Sequence, residues 1–217
     1  MKMIELYTAA TPNGWKASIM LEELGLDYQV KPINLSDGQQ KTPEFLALNP
    51  NGRIPVIRDT ENEQVVFESG AILIYLAEKQ GVLYPEKDKY QILQWLMFQM
   101  GGIGPMMGQA NVFFRYFPEK IQVVIDRYQN EVKRLFSVLE KQLSDQDYLV
   151  GEYSIADIAN WSWVHTAEWS GVELSDFENL NSWVDRIAQR KAVQKGINIP
   201  KKLDKEAIKK AGQKIIK

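Results

Sequence analysis

The fold of this chain is decided by residues 54–77, which read IPVIRDTENEQVVFESGAILIYLA. Two short apolar runs, 54–57 and 65–67, flank a polar turn at 59–63, and this spacing predicts an antiparallel pair of strands. The apolar run 71–77 that follows predicts a buried helix. A hairpin that leads directly into a helix is therefore expected at the end of the first third of the chain.

Glu68 and Ser69 stand at the join between the second strand of the hairpin and this helix. Free backbone N–H groups and the positive end of the helix dipole favour an anion at such a point. Ser69 could bind a ligand carboxylate there while Glu68 binds an ammonium, so the pair would recognise the α-carbon end of an amino acid. The alternative is that Ser69 is a simple N-cap and Glu68 a favourable first-turn charge.

The segments before residue 54 alternate between strand and helix patterns. They predict, in chain order, a strand at 4–7, a helix at 15–24, a strand at 28–33 and a short helix at 43–48. Pro32 favours an edge position for the second strand. The resulting order is β-α-β-α-β-β-α, which predicts a small sheet with helices on its faces.

From residue 88 onward the patterns are helical. Apolar residues recur at helical spacing over 121–143, and residues 154–157 resemble a capping box at the start of another helix. A further helix is predicted at 180–187, and the glycine-rich stretch 101–105 should kink or break the helix that contains it.

This change of pattern predicts two domains, 1–83 and 88–217, joined through residues 84–87. The lysine-rich tail, residues 201–217, is expected to be a solvated helix or a frayed end.

Composition narrows the functional classes. With 26 Lys and Arg against 28 Asp and Glu, the net charge is −2, which gives no sign of a nucleic-acid or membrane partner. Cysteine is absent, so a disulfide, a thiolate metal site and a nucleophilic thiol of the protein are excluded. His165 is the only histidine and lies in an apolar helical pattern, so we expect neither a zinc site nor a Ser-His-Asp triad. No secretion signal or bilayer-length apolar run is evident, and we expect a cytoplasmic protein that needs no metal.

A second binding feature lies at Arg53-Ile54-Pro55, which opens the third strand. A cis bond before Pro55 would turn the backbone groups of Ile54 outward, where they could pair with an extended ligand as an added strand does. The far end of that ligand would fall near Arg53 and Gln40, a cation and an amide that suit a second carboxylate. Together with the amino-acid site described above, this arrangement favours a short peptide with two acidic ends.

The loop 11–14 lies between the first strand and the first helix, at the carboxyl end of a strand, where ligands of open α/β sheets usually bind. Thr11 and Asn13 offer side-chain donors beside a helix N-terminus. A thiol held there would have a lowered pKa, because its thiolate would be stabilised. The alternative is that both residues only form a turn and a cap.

Taken together, these residues resemble the glutathione transferase family over nearly the whole chain. The resemblance lies in Ile54-Pro55 followed by Glu68-Ser69, and in the helix start at 154–157. Three stretches, 11–14, 67–72 and 101–106, are most similar to the nu-class or prion-regulator-like branch.

The resemblance implies an α+β two-domain fold, in which a thioredoxin-like βαβαββα domain precedes an all-helical domain. It also implies glutathione as co-substrate, a small-molecule second substrate and a homodimer. By analogy, the ligand's γ-glutamyl end would contact Glu68 and Ser69, its cysteinyl backbone Ile54 and Pro55, its glycyl end Gln40 and Arg53, and its sulfur Thr11 and Asn13. Arg127 matches an arginine that this branch contributes across the dimer; the alternative is a surface arginine in an ion pair.

The sequence is compatible with several functional alternatives. Without a cysteine in the first loop, the covalent mechanism of the omega and beta types is not available, and Tyr7 lies within a strand rather than in the catalytic loop. The bound thiolate could attack an electrophile or exchange with a disulfide. Two further alternatives are a non-catalytic binding or regulatory module on the same fold and a structural dimer that binds another small acid.

Overall fold

The computed structural model describes residues 3–202 as two compact units. One unit contains the residues up to Val82 together with residues 190–202, and the other contains Leu83–Gln189. Within residues 3–202, no helix combines the length and apolar composition that crossing a membrane requires.

The first unit is built on a four-stranded sheet in the order β2-β1-β3-β4. Its strands are β1 Ile4–Thr8, β2 Tyr28–Pro32, β3 Val56–Asp59 and β4 Gln64–Phe67. β1 pairs in parallel with β2 and antiparallel with β3, and β3 and β4 form the predicted hairpin. The strand that ends at Pro32 lies at an edge, as predicted, where its missing N–H costs no ladder bond.

Three helices of this unit follow the predicted order: α1 Pro12–Leu24, α2 Pro43–Leu48 and α3 Ser69–Gln80. α1 begins three residues before its predicted start at residue 15 because Thr11 caps it and Pro12 occupies the first position, where proline needs no N–H partner. Gly14 allows α1 to approach β1 closely, since a Cβ there would overlap the carbonyl oxygen of Ala9 and lie 2.6 Å from Oγ1 of Thr8.

A fourth helix packs on this unit from the far end of the chain. It is α9, Lys191–Gly196, and Oγ of Ser18 on α1 donates to the Gly196 carbonyl at 2.8 Å. Arg190 forms a two-bond ion pair with Glu23, at 2.6 and 2.8 Å. Sequence patterns assigned everything after residue 88 to one helical domain, whereas 190–202 packs with the first unit, because these long-range bonds leave no local signature. Of the predicted tail, residues 203–217 lie outside the described residues.

The second unit is helical, as predicted. Its helices are α4 Lys89–Phe98, α5 Gly104–Asn111, α6 Gln122–Gln142, α7 Ile155–Val164 and α8 Glu178–Ala188. The glycine-rich stretch does not end the helix; residues Gln99–Ile103 form a π-helical segment that joins α4 to α5.

The predicted capping box at the start of α7 is confirmed. Both carboxylate oxygens of Asp157 are occupied, by Leu149 N, Ser154 N, Ser154 Oγ and Trp183 Nε1, each at 3.0 Å. Complete burial raises the pKa of Asp157 to about 6, although these donors act in the opposite direction. Asp157 therefore holds together the start of α7, the preceding loop and α8.

Candidate glutathione site

The loop that precedes α1 presents the first part of the site. Oγ1 of Thr11, the N-cap residue, accepts a hydrogen bond from Gly14 N at 3.2 Å. Asn13 lies in the first helical turn and is partly exposed. Because the first N–H groups of a helix lack intrahelical acceptors, this end of α1 favours an anion.

The start of α3 presents the second part. Glu68 occupies the cap position, and its side chain makes no capping hydrogen bond to the first turn. Ser69 is the first helical residue and is only 6% exposed, so it is not the simple N-cap that the alternative interpretation required. Glu68 has φ 68° and ψ 117°, an uncommon conformation for a residue with a side chain. Such strain is often found at binding sites, where the surrounding structure enforces it.

A buried lysine joins these two helix ends. Lys16 on α1 is only 1% exposed, and its Nζ donates to Oδ1 of Asn13 at 3.0 Å and to Oγ of Ser69 at 3.3 Å. Burial lowers the pKa of Lys16 to about 7, while the negative charge of Glu68 acts in the opposite direction. The residues predicted to contact the sulfur and the γ-glutamyl end are thus linked through one ammonium group.

The predicted contacts of the glycyl end lie around a second loop. Gln40 belongs to the short 3₁₀ turn Gln39–Lys41, and its Oε1 is buried without a hydrogen-bond partner among residues 3–202. A Cβ at Gly52, which has φ +62°, would lie 2.9 Å from the Gln40 carbonyl oxygen, so glycine lets the two loops meet. Arg53 follows directly and is exposed.

In sequence, Ile54 and Pro55 lie between Arg53 of this second loop and Glu68 at the start of α3. The peptide bond between them is cis, as expected for a proline that opens this strand. The strand ladder of β3 begins at Val56, so the backbone of Ile54 lies outside the paired register. This position is compatible with pairing to an extended ligand.

Two family profiles match this chain. The glutathione S-transferase N-terminal domain matches residues 2–78, and the glutathione S-transferase C-terminal domain matches residues 96–191. The chain belongs to the glutathione S-transferase family. The predicted family, two-domain fold class and enzyme class are thereby confirmed.

Individual relatives agree with this assignment. The disulfide-bond oxidoreductase YfcG of Escherichia coli (strain K12) is 44% identical over 198 residues, which cover 88% of this chain and 92% of that protein. A glutathione transferase from Pseudomonas putida, solved with one glutathione disulfide bound per subunit, matches with a TM-score of 0.85 at 43% identity, covering 91% of this chain and 92% of that one. The glutathione transferase URE2P6 from Phanerochaete chrysosporium, solved with oxidized glutathione, matches with a TM-score of 0.85 at 40% identity, covering 90% and 94%. The predicted resemblance to the prion-regulator-like branch is consistent with the last match.

Other side chains that glutathione transferases could use for catalysis are poorly placed here. The Tyr7 hydroxyl donates to Glu5 at 3.0 Å, and burial together with Glu5 raises the pKa of Tyr7. His165 stacks on Trp161 with ring centroids 4.1 Å apart, and burial lowers its pKa to about 4. Residues 3–202 hold no grouping of three or more His, Cys, Asp or Glu side chains suited to a metal ion.

Arg127 lies on α6, in the second unit, and is exposed. The nearby Glu131 carboxylate is bound by Arg134, at 2.7 and 2.9 Å. The prediction that Arg127 acts across a dimer remains a prediction.

Lys16 was not predicted from the sequence as part of this candidate site. A signal was present, because this lysine stands inside an apolar stretch, between Trp15 and Ala17, of a helix assigned to the core. A lysine is almost never fully buried unless polar groups accept hydrogen bonds from its ammonium group.

Proposed function

We propose that this glutathione S-transferase family member binds glutathione in its first unit and uses the bound thiolate to reduce disulfides. One observation carries the proposal: two helix N-termini converge through Lys16 on polar side chains, in a chain without cysteine. A reactive sulfur must then come from the ligand, and the convergence supplies donors that stabilise its anion.

The ligand lies across the unit in an extended conformation. Its γ-glutamyl carboxylate accepts from the Ser69 hydroxyl and the free N–H groups of α3, and its ammonium faces Glu68. Its cysteinyl backbone runs beside Ile54 and Pro55, and its glycyl carboxylate reaches Gln40 and Arg53. Its sulfur accepts hydrogen bonds from Thr11 and Asn13.

The reaction is thiol–disulfide exchange. The thiolate of bound glutathione attacks one sulfur of the substrate disulfide, forms a mixed disulfide and releases the other sulfur as a thiolate, which takes up a proton. A second glutathione attacks the mixed disulfide, so that two glutathiones become one glutathione disulfide and the substrate becomes two thiols. The relative named a disulfide-bond oxidoreductase and the relatives solved with oxidized glutathione support this assignment.

Conjugation of an electrophile is the second candidate, because the same thiolate would perform it. The relative from Schizosaccharomyces pombe named glutathione S-transferase 1, which is 44% identical over 160 residues, favours testing both. A binding or regulatory module would hold glutathione without turnover.

The test measures glutathione-dependent reduction of a small disulfide and conjugation of an aryl halide by wild type and Asn13→Ala. Asn62→Ala is the matched control, since Asn62 is exposed in the turn that precedes β4, at the end of that strand away from Glu68. We expect Asn13→Ala to lower the rate of disulfide reduction tenfold or more, which corresponds to about 1.4 kcal/mol of transition-state stabilisation. We expect Asn62→Ala to reduce disulfides at the wild-type rate. Wild-type binding without either turnover would instead assign a regulatory module, and absence of binding would refute the proposal.

We also propose that the protein forms a homodimer and that it is located in the cytoplasm. Tyr90 and Met97 on α4 are 74% and 49% exposed in the single chain, an apolar pair that a second copy would cover. A dimer would also allow Arg127 to reach a partner's ligand. Cytoplasmic location fits a reaction that consumes reduced glutathione. Light scattering at several concentrations tests the dimer, and a strictly monomeric protein would contradict it.

A further inference from the structure

Lys16 has a position that the proposed reaction does not by itself explain. Among residues 3–202, its ammonium group is one of few charged groups buried to 1% exposure or less. Placing an ammonium in such surroundings opposes folding, because water is replaced by a few protein acceptors. A methionine of similar length would fill the same space without that penalty. The charge therefore requires a reason other than packing.

The hydrogen-bond chemistry of an ammonium group supplies that reason. It carries three donors and no acceptor. A charged Lys16 accordingly fixes the amide of Asn13 with Oδ1 towards Nζ and the NH₂ group directed away from it. It also makes Oγ of Ser69 an acceptor, so that the hydroxyl hydrogen of Ser69 points elsewhere.

Both groups are thereby presented to a ligand as donors. Asn13 lies in the first turn of α1 and Ser69 is the first residue of α3, and an anion is favoured at both helix ends. The two anions of glutathione in the proposed pose are the cysteine thiolate and the γ-glutamyl carboxylate. One amino group thus sets the donor direction at both anionic subsites.

We propose that Lys16 is a positioning residue of the glutathione site, whose Nζ donors hold Asn13 and Ser69 in the donor orientation that binds the thiolate and the γ-glutamyl carboxylate. This inference depends on the proposed function and deepens it. Lys16 acts through its two neighbours and does not touch the ligand sulfur.

The test compares wild type with Lys16→Met and Lys16→Gln. The methionine variant removes charge and donors at similar volume, whereas the glutamine variant keeps an NH₂ donor without charge. Lys133→Met on α6 is the control, because Lys133 is exposed in the other unit. Calorimetry measures glutathione affinity, and the ultraviolet absorbance of the thiolate, titrated against pH, measures the pKa of the bound thiol.

We expect Lys16→Met to bind glutathione about tenfold more weakly and to raise the pKa of the bound thiol by about one unit, because Asn13 and Ser69 lose the donor that orients them. Its unfolding midpoint should equal or exceed that of wild type. We expect Lys16→Gln to lie between the two, and Lys133→Met to match wild type.

Three results would overturn the inference. Folded Lys16→Met with wild-type affinity and thiol pKa would show that Lys16 does not position the site, while leaving the proposed function intact. Failure of both Lys16 variants to fold would make the residue structural. Failure of wild type to bind glutathione would remove the proposed function and this inference together.

Discussion

The buried ammonium of Lys16 should give the protein an unusual dependence of stability on pH. Its pKa is lowered by burial from 10.5 to about 7. Below about pH 7 the lysine is protonated in both the folded and unfolded states, so the full penalty of burying the charge opposes folding. Between about pH 7 and 10 the unfolded chain binds this proton and the folded chain does not. Stability therefore rises with pH in that window, by up to about 1.4 kcal/mol per unit.

The magnitude follows from the same shift. A difference of about three and a half units between 10.5 and about 7 corresponds to about 5 kcal/mol at acid pH, as an upper limit. Lys16→Met removes this penalty of burying a charge. It also removes the hydrogen bonds to Asn13 and Ser69, and each of these two bonds contributes about 1 kcal/mol. We therefore expect the variant to be more stable than wild type at pH 6, by about 2 kcal/mol, and to lose that advantage as pH rises towards 9.

The assay is urea unfolding followed by tryptophan fluorescence, at one protein concentration and without glutathione, from pH 6 to pH 9. Titrations of other groups are shared by wild type and Lys16→Met, so the difference between their unfolding free energies isolates Lys16. Lys133→Met should run parallel to wild type at every pH. A Lys16→Met curve that also runs parallel to wild type, or an advantage that grows as pH rises, would refute a stability penalty from the buried ammonium.

Three further predictions test other parts of the structure. Ser69→Ala should weaken glutathione binding about tenfold while slowing bound-state chemistry less, because the hydroxyl contacts the carboxylate and not the sulfur; a pure defect in kcat would contradict this. Asp157→Ala should lower the free energy of unfolding by about 3 kcal/mol or more in urea titrations, because it leaves the buried donors of Leu149, Ser154 and Trp183 without acceptors; a loss below 1 kcal/mol would show that water replaces the carboxylate. Gly14→Ala should destabilise the first unit by about 2 kcal/mol in the same titrations, since its Cβ would lie 2.6 Å from Oγ1 of Thr8; wild-type stability would mean that α1 can shift away from β1.

Much of the fold follows from patterns that are local in the chain. The apolar alternation of β1, the hairpin at 56–67 and the capping box of α7 are each set by neighbouring residues, and each is present as predicted. The boundaries differ by a few residues where a cap decides them, as at Thr11. The attachment of α9 to α1 could not be predicted, because Gly196 and Ser18 meet only after the chain has folded.

For the proposed site, the sequence alone indicated which residues carry the polar groups: Thr11 and Asn13 before the first helix, Gln40 in a polar loop, and Glu68 and Ser69 at the start of the third helix. Only the tertiary structure decided that Lys16 belongs with them. A lysine on a helix normally extends its amine into water. The apolar neighbours of Lys16 indicate burial, but they do not tell which groups accept its hydrogen bonds. Burial and the meeting of α1 with α3 are properties of the folded chain, and they turn an ordinary lysine into the link between two helix ends.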